Sequence, residues 1–143
     1  MHTPTLLAAT LLVAASTTFA APAQYTVVDH SSPALIDTAG AVAVWKAQVD
    51  DNLRTRLHKL YPVSNWAFVS QVQGGFTSDK VCVVTASALM MPLIRGSRVV
   101  FDPRKSATTF ASQAGASTEQ CRSLAATKLA EAIQAMRSVL IEP

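Results

Sequence analysis

Lys80–Met91 reads KVCVVTASALMM, and this stretch decides the fold. Its first half is rich in β-branched residues, which fit a pleated, half-buried surface. Period-two alternation sends Cys82, Val84 and Ala86 to one face. Further on the alternation is lost, and Leu89-Met90-Met91-Pro92-Leu93-Ile94 is apolar on both faces. A one-sided antiparallel strand alternates polar and apolar residues. This segment is therefore expected either to lie beneath two helices or to offer an apolar edge to a partner, with burial favoured. Met-rich surfaces suit adaptable binding. Pro92 is expected to end the strand.

Three further strands are read around this one. Trp66-Ala67-Phe68-Val69-Ser70-Gln71-Val72 reads as a strand with Trp66, Phe68 and Ser70 on one face, and Gly74-Gly75 reads as a turn continued by Thr77-Ser78-Asp79. Downstream, Arg95-Gly96-Ser97 reads as a turn, Arg98–Phe101 as a third strand stopped at Asp102-Pro103, and Lys105–Ala111 as a fourth. Short, turn-like links between successive strands predict an antiparallel meander and not βαβ units.

Helices close both ends. Ser117 with Gln120 matches the S-x-x-Q capping box, and Glu119 suits the positive end of a helix dipole. The apolar stripe behind it is Cys121, Leu124, Ala125, Leu129, Ala132, Ile133, Met136 and Leu140. Before the strands, Ser32 and Pro33 read as the N-cap and first position of a helix from Pro33 to Leu60. Its stripe is Val42, Trp45, Val49, Leu53, Leu57 and Leu60, at spacings of three and four. Lys46–Asp50 and Asp50–Arg54 are candidate i,i+4 pairs on the outer face. Gly40 weakens the first third, which allows a start near Ala41. Tyr61-Pro62 ends the helix, because a residue before proline avoids the α region.

Cys82 and Cys121 are the two cysteines of the chain. One opens a strand and the other the core face of the C-terminal helix, so a disulfide between them would staple helix to sheet. The loop it closes, roughly 40 residues, corresponds to about 4 kcal/mol in the chain-entropy treatment. The expected fold is thus α+β: an N-terminal helix, three to four antiparallel strands in a meander, and a C-terminal helix packed on one sheet face, with one disulfide.

The N-terminus is read as a signal peptide. Leu6–Ala15 (LLAATLLVAA) is uncharged and apolar, long enough for an h-region and too short to span a bilayer. Small residues follow, and cleavage is expected after Ala20, with Ala23 as the alternative. The expected organisation is a signal peptide over 1–20, an extended lead-in over 21–33, and a single α+β domain over 34–143. No second apolar run approaches transmembrane length, so no transmembrane anchor is expected after processing. Disulfide use, the Ala-rich composition and the short signal all read as a bacterial exported protein, periplasmic or extracellular.

The mature chain carries all 12 Lys+Arg and all 9 Asp+Glu, hence a net charge of +3. That is mildly basic and gives no reason to expect nucleic acid. The densest basic cluster is Arg95, Arg98, Arg104 and Lys105, opposed only by Asp102. It is the candidate partner-binding patch, for another protein or an anionic envelope component, set against a role as a solubilising rim. No catalytic residues, metal ligands or cofactor sites are assigned. His30 and His58 stand far from any Cys-x-x-Cys spacing, and adjacent Asp50 and Asp51 do not face each other on a helix. No phosphate loop, G-x-G-x-x-G, H-E-x-x-H, EF-hand or G-x-S-x-G is present. The expected function is a non-catalytic exported binding protein, such as an inhibitor, a toxin-neutralising partner or an accessory subunit of an envelope assembly. The alternative is a small secreted hydrolase with an unmarked site using His58 or scattered carboxylates.

Overall fold

The computed structural model describes residues 23–94 and 98–141; the signal-peptide reading of 1–20 lies outside them. The elements, in chain order, are β1 (Thr26–Asp29), α1 (Thr38–Gln48), α2 (Asp51–Leu60), β2 (Trp66–Phe76), β3 (Val81–Ile94), β4 (Arg98–Val99), β5 (Lys105–Ala114) and α3 (Thr118–Ile141). They form an α+β fold: one mixed sheet, curved as a half-barrel, with three helices and one disulfide.

The expected purely antiparallel meander requires correction. β2, β3 and β5 do pair antiparallel in succession, but β1 pairs parallel with β2, from Thr26↔Ala67 to Asp29↔Ser70. The cause lies in the connection. A parallel neighbour needs a long crossover, and α1 with α2 supplies one between β1 and β2. The third strand is also reduced. β4 covers only two residues against the end of β3, whereas β5 runs ten residues along it, from Val81↔Ala114 to Met90↔Lys105. Pro92 does not end β3, which continues to Ile94. At that point β3 has passed the end of β5, so the missing proline N–H takes nothing from that ladder, and the Pro92 carbonyl accepts from the Val100 N–H at 3.0 Å.

Gly74 and Gly75 sit inside β2, not in a turn. A Cβ at Gly74 would lie 1.9 Å from the Val83 carbonyl oxygen, and its φ is +134°. Only glycine lets the two backbones approach this closely. The reversal instead falls at Thr77–Lys80, where the Lys80 N–H donates to the Thr77 carbonyl at 3.0 Å.

The single helix expected from Pro33 to Leu60 is two helices. Pro33 belongs to an isolated turn, with the Ser32 carbonyl accepting from Leu35 and Ile36. Asp37 is the N-cap of α1, its carboxylate taking the Gly40 N–H at 2.7 Å. The break comes at Val49-Asp50, because Asp50 caps α2 by accepting the Leu53 N–H at 2.8 Å. An aspartate that can satisfy an orphan N–H from outside a helix competes with its own helical conformation. The i,i+4 pairs read for Asp50 do not form. Arg54 meets Asp51 at 2.9 Å, and Asp50 lies 3.7 Å from Arg137 of α3. Leu60, placed in the apolar stripe from its spacing, is 59% exposed.

The main core lies between the inner face of the sheet and the helices. Phe68, Val72, Cys82, Val84, Ala86, Ala88 and Met90 meet Trp45, Leu53 and Leu57 from the first two helices and Cys121, Leu129, Ile133, Met136 and Leu140 from α3. The capping box of α3 is reciprocal: the Ser117 N–H donates to Gln120 Oε1 at 2.8 Å, and the Gln120 N–H donates to Ser117 Oγ at 3.1 Å. Cys82 and Cys121 are bridged, with Cα atoms 5.7 Å apart. The doubly apolar end of β3 divides between two cores. Met90 enters the main one, while Leu89 and Met91 join Val69 in a smaller cluster on the outer face, covered by Val28 and Val99. It thus lies neither beneath two helices nor open along its length.

Candidate functional site

Two surface features carry chemistry. The first is the projection between β3 and β5. Pairing of Ile94 with Arg98 and of Met90 with Lys105 folds the chain back on itself there. The Arg104 N–H donates to the Met90 carbonyl at 3.0 Å. Arg98, Arg104 and Lys105 therefore all lie in the stretch of chain that runs back along Met90–Ile94, the last five residues of β3. Arg95 lies outside the described residues. Beside these cations stand two exposed apolar side chains, Phe101 at 71% and Ile94 at 51%. Arg104 reaches Asp102 at 2.9 Å, but both side chains are more than half exposed, so solvent screens most of that attraction.

The second feature is a recess of about 290 Å³ between β1 and the first two helices. It was not legible in the sequence. Trp45 and Phe68 form its floor, stacked with ring centroids 4.6 Å apart and planes 7° from parallel. Tyr25 closes one side, tilted against Phe68 at 4.6 Å and edge-on to His58 at 5.2 Å. Its hydroxyl donates to the Tyr61 carbonyl, and burial pushes the phenol pKa up to about 12. Val42, which the helical spacing placed in the core stripe, is only half-buried and lines this recess. Lys46 and Arg54 stand at the rim. The parallel pairing of β1 with β2 brings Tyr25 to Phe68, and no local pattern encodes that pairing. The available signal was an aromatic residue in a lead-in too short to have a core of its own.

Among the described residues, the buried Trp45 Nε1 and His58 Nε2 of this half have no hydrogen-bond partner. His58, weighed from the sequence as a candidate base, has this nitrogen enclosed rather than facing solvent. Asp50 and Asp51 act as helix cap and Arg54 partner. Among the described residues, no group of three His, Cys, Asp or Glu is placed to hold a metal ion. Nor is any described helix long and apolar enough to cross a membrane.

The chain matches no protein-family model, and no curated protein matches it.

Proposed function

We propose that this is an exported, non-catalytic binding protein of the periplasm or exterior. In this reading it is an inhibitor, a toxin-neutralising partner or an accessory subunit, and it meets an acidic protein partner through the projection between β3 and β5. One observation carries the reading. Arg98, Arg104 and Lys105 share one short link of the chain with the exposed Phe101, and an exposed aromatic flanked by cations is the composition of an interface centre with a steering rim. The disulfide is consistent with export. The hydrolase alternative has less support, because the Nε2 atom of His58 is buried without a partner.

The test begins with the intact mass of the secreted protein, expected to start at Ala21 or Gln24. Cross-linking in the native compartment then identifies a stoichiometric partner. Arg98→Glu with Lys105→Glu should slow association at least tenfold and flatten its salt dependence, and Phe101→Ala should speed dissociation. Full-length protein retained in the cytosol refutes export. Unchanged association of the double variant refutes the surface.

A further inference from the structure

We propose that the recess between β1 and α1 is a ligand site for a small organic acid: one carboxylate on an apolar body of aliphatic or aromatic carbon. This does not rest on the basic projection, which lies at the end of the sheet formed by β3, β4 and β5.

The shape argues for an apolar body. Trp45, Phe68 and Tyr25 present aromatic surface, and Val27, Val42 and Val49 add aliphatic walls. Ligand sites are concave and mainly apolar, with a few polar groups that fix orientation, and about 300–1,000 Å³ is usual. At about 290 Å³ this recess stands at the small end, which limits the body to a short chain or a single ring system.

The charge argues for an acid. Among the described residues no carboxylate lines the recess, whereas Lys46 and Arg54 do. Lys46 is exposed and makes no ion pair or side-chain hydrogen bond among the described residues. Arg54 gives one terminal nitrogen to Asp51 at 2.9 Å and the other to the Val49 carbonyl at a long 3.4 Å. Lys46 is therefore the principal counter-charge and Arg54 a secondary one. Trp45 is 2% exposed and lines the recess. Its ring supplies a flat wall for the apolar body, and the counter-charge comes from Lys46 and Arg54.

The competing occupant is the protein's own N-terminus, since Gln24 lines the recess. Both possibilities are separated by one set of titrations on the secreted mature protein, followed by calorimetry and tryptophan emission. Octanoate and 3-phenylpropanoate test the two kinds of apolar body, and octylammonium and octanol test the charge. Saturable 1:1 binding of at least one acid is expected, at least tenfold tighter than octylammonium or octanol. Lys46→Glu should weaken the acid at least tenfold, and Val42→Trp, which narrows the half-buried wall, should abolish binding. Arg98→Glu should leave it unchanged, so failure here is distinguishable from failure of the partner surface. Circular dichroism checks that each variant is folded. Equal binding of octylammonium, undiminished binding in Lys46→Glu, or no saturable binding to the wild-type protein overturns the proposal. So does binding that appears only when the chain is shortened to begin at Tyr25, because the native N-terminus would then be the occupant.

Discussion

The two ends of the central sheet are held in different ways. On the side of β3, β5 and α3, the hold is covalent and apolar. The Cys82–Cys121 bridge joins strand to helix, and Ala125, Leu129, Ile133 and Met136 are completely buried beneath it. On the side of β1, the hold is a network of hydrogen bonds around one carboxylate. Asp29 Oδ1 accepts from Ser31 Oγ at 2.6 Å, from Ser70 Oγ at 2.9 Å and from the Ser31 N–H at 3.2 Å. Ser31 Oγ in turn accepts the Val72 N–H at 3.0 Å. Ser70 is fully buried, the one buried polar residue of the described core. The contrast teaches where binding can reside. The hydrogen-bonded side holds a recess, whereas the side of β3 and β5 presents exposed side chains such as Phe101 beyond its buried staple. Sites that must accommodate a ligand are commonly drawn from the less constrained parts of a fold.

Removing the staple should have the largest effect. Cys82→Ser with Cys121→Ser is expected to cost about 4 kcal/mol and to lower the thermal midpoint by more than about 10 °C. Hydrogen exchange should show α3 loosening before β1. If β1 and α1 loosen first, the comparison between the two sides is wrong.

A smaller loss should follow from Asp29→Ala. It leaves the buried Ser70 hydroxyl without its acceptor, and about 2 kcal/mol is expected. Asp29→Asn keeps an oxygen in place and should restore much of this. Denaturant unfolding of the two variants measures both, and equal losses would show that charge rather than the acceptor atom holds β1.

The smallest effect should appear at alkaline pH. Tyr25 has its pKa raised from 10.0 to about 12 by burial. Above pH 10 the unfolded chain releases this proton while the folded chain keeps it. The contribution is fully present below pH 10 and is lost as pH rises through about 12. Tyr25→Phe should flatten that part of the stability curve. An unchanged alkaline slope would mean that Tyr25 is better solvated than its packing against Phe68 and His58 indicates.

Much of the stapled side was legible. The capping box at Ser117, the stripe from Cys121 to Leu140 and the alternation around Cys82 are local patterns, and each survives in the fold because burial and propensity agree. The hydrogen-bonded side was less so. Asp50 offered two roles, pair-forming on a helix face or capping a new helix, and spacing alone favours neither. Val42 and Trp45 share one stripe by period, yet one lines an open recess while the other is buried as its floor. Of the candidate partner residues, Arg98, Arg104 and Lys105 were found as neighbours in the chain, but the exposed Phe101 beside them was read as part of a strand.

The sequence by itself determined the α+β class, the disulfide partners and the C-terminal helix. These depend on composition, on residues within a turn or two of one another, and on there being only two cysteines to pair. Tertiary structure alone decided that β1 runs parallel to β2, that the first helix breaks at Asp50, and that Tyr25, Trp45, Phe68 and Lys46 surround one recess. Those outcomes depend on contacts between residues far apart in the chain. Tyr25 and Phe68 meet only because α1 and α2 form the crossover between their strands, and the residues that make that meeting favourable carry no mark of it in their own neighbourhoods.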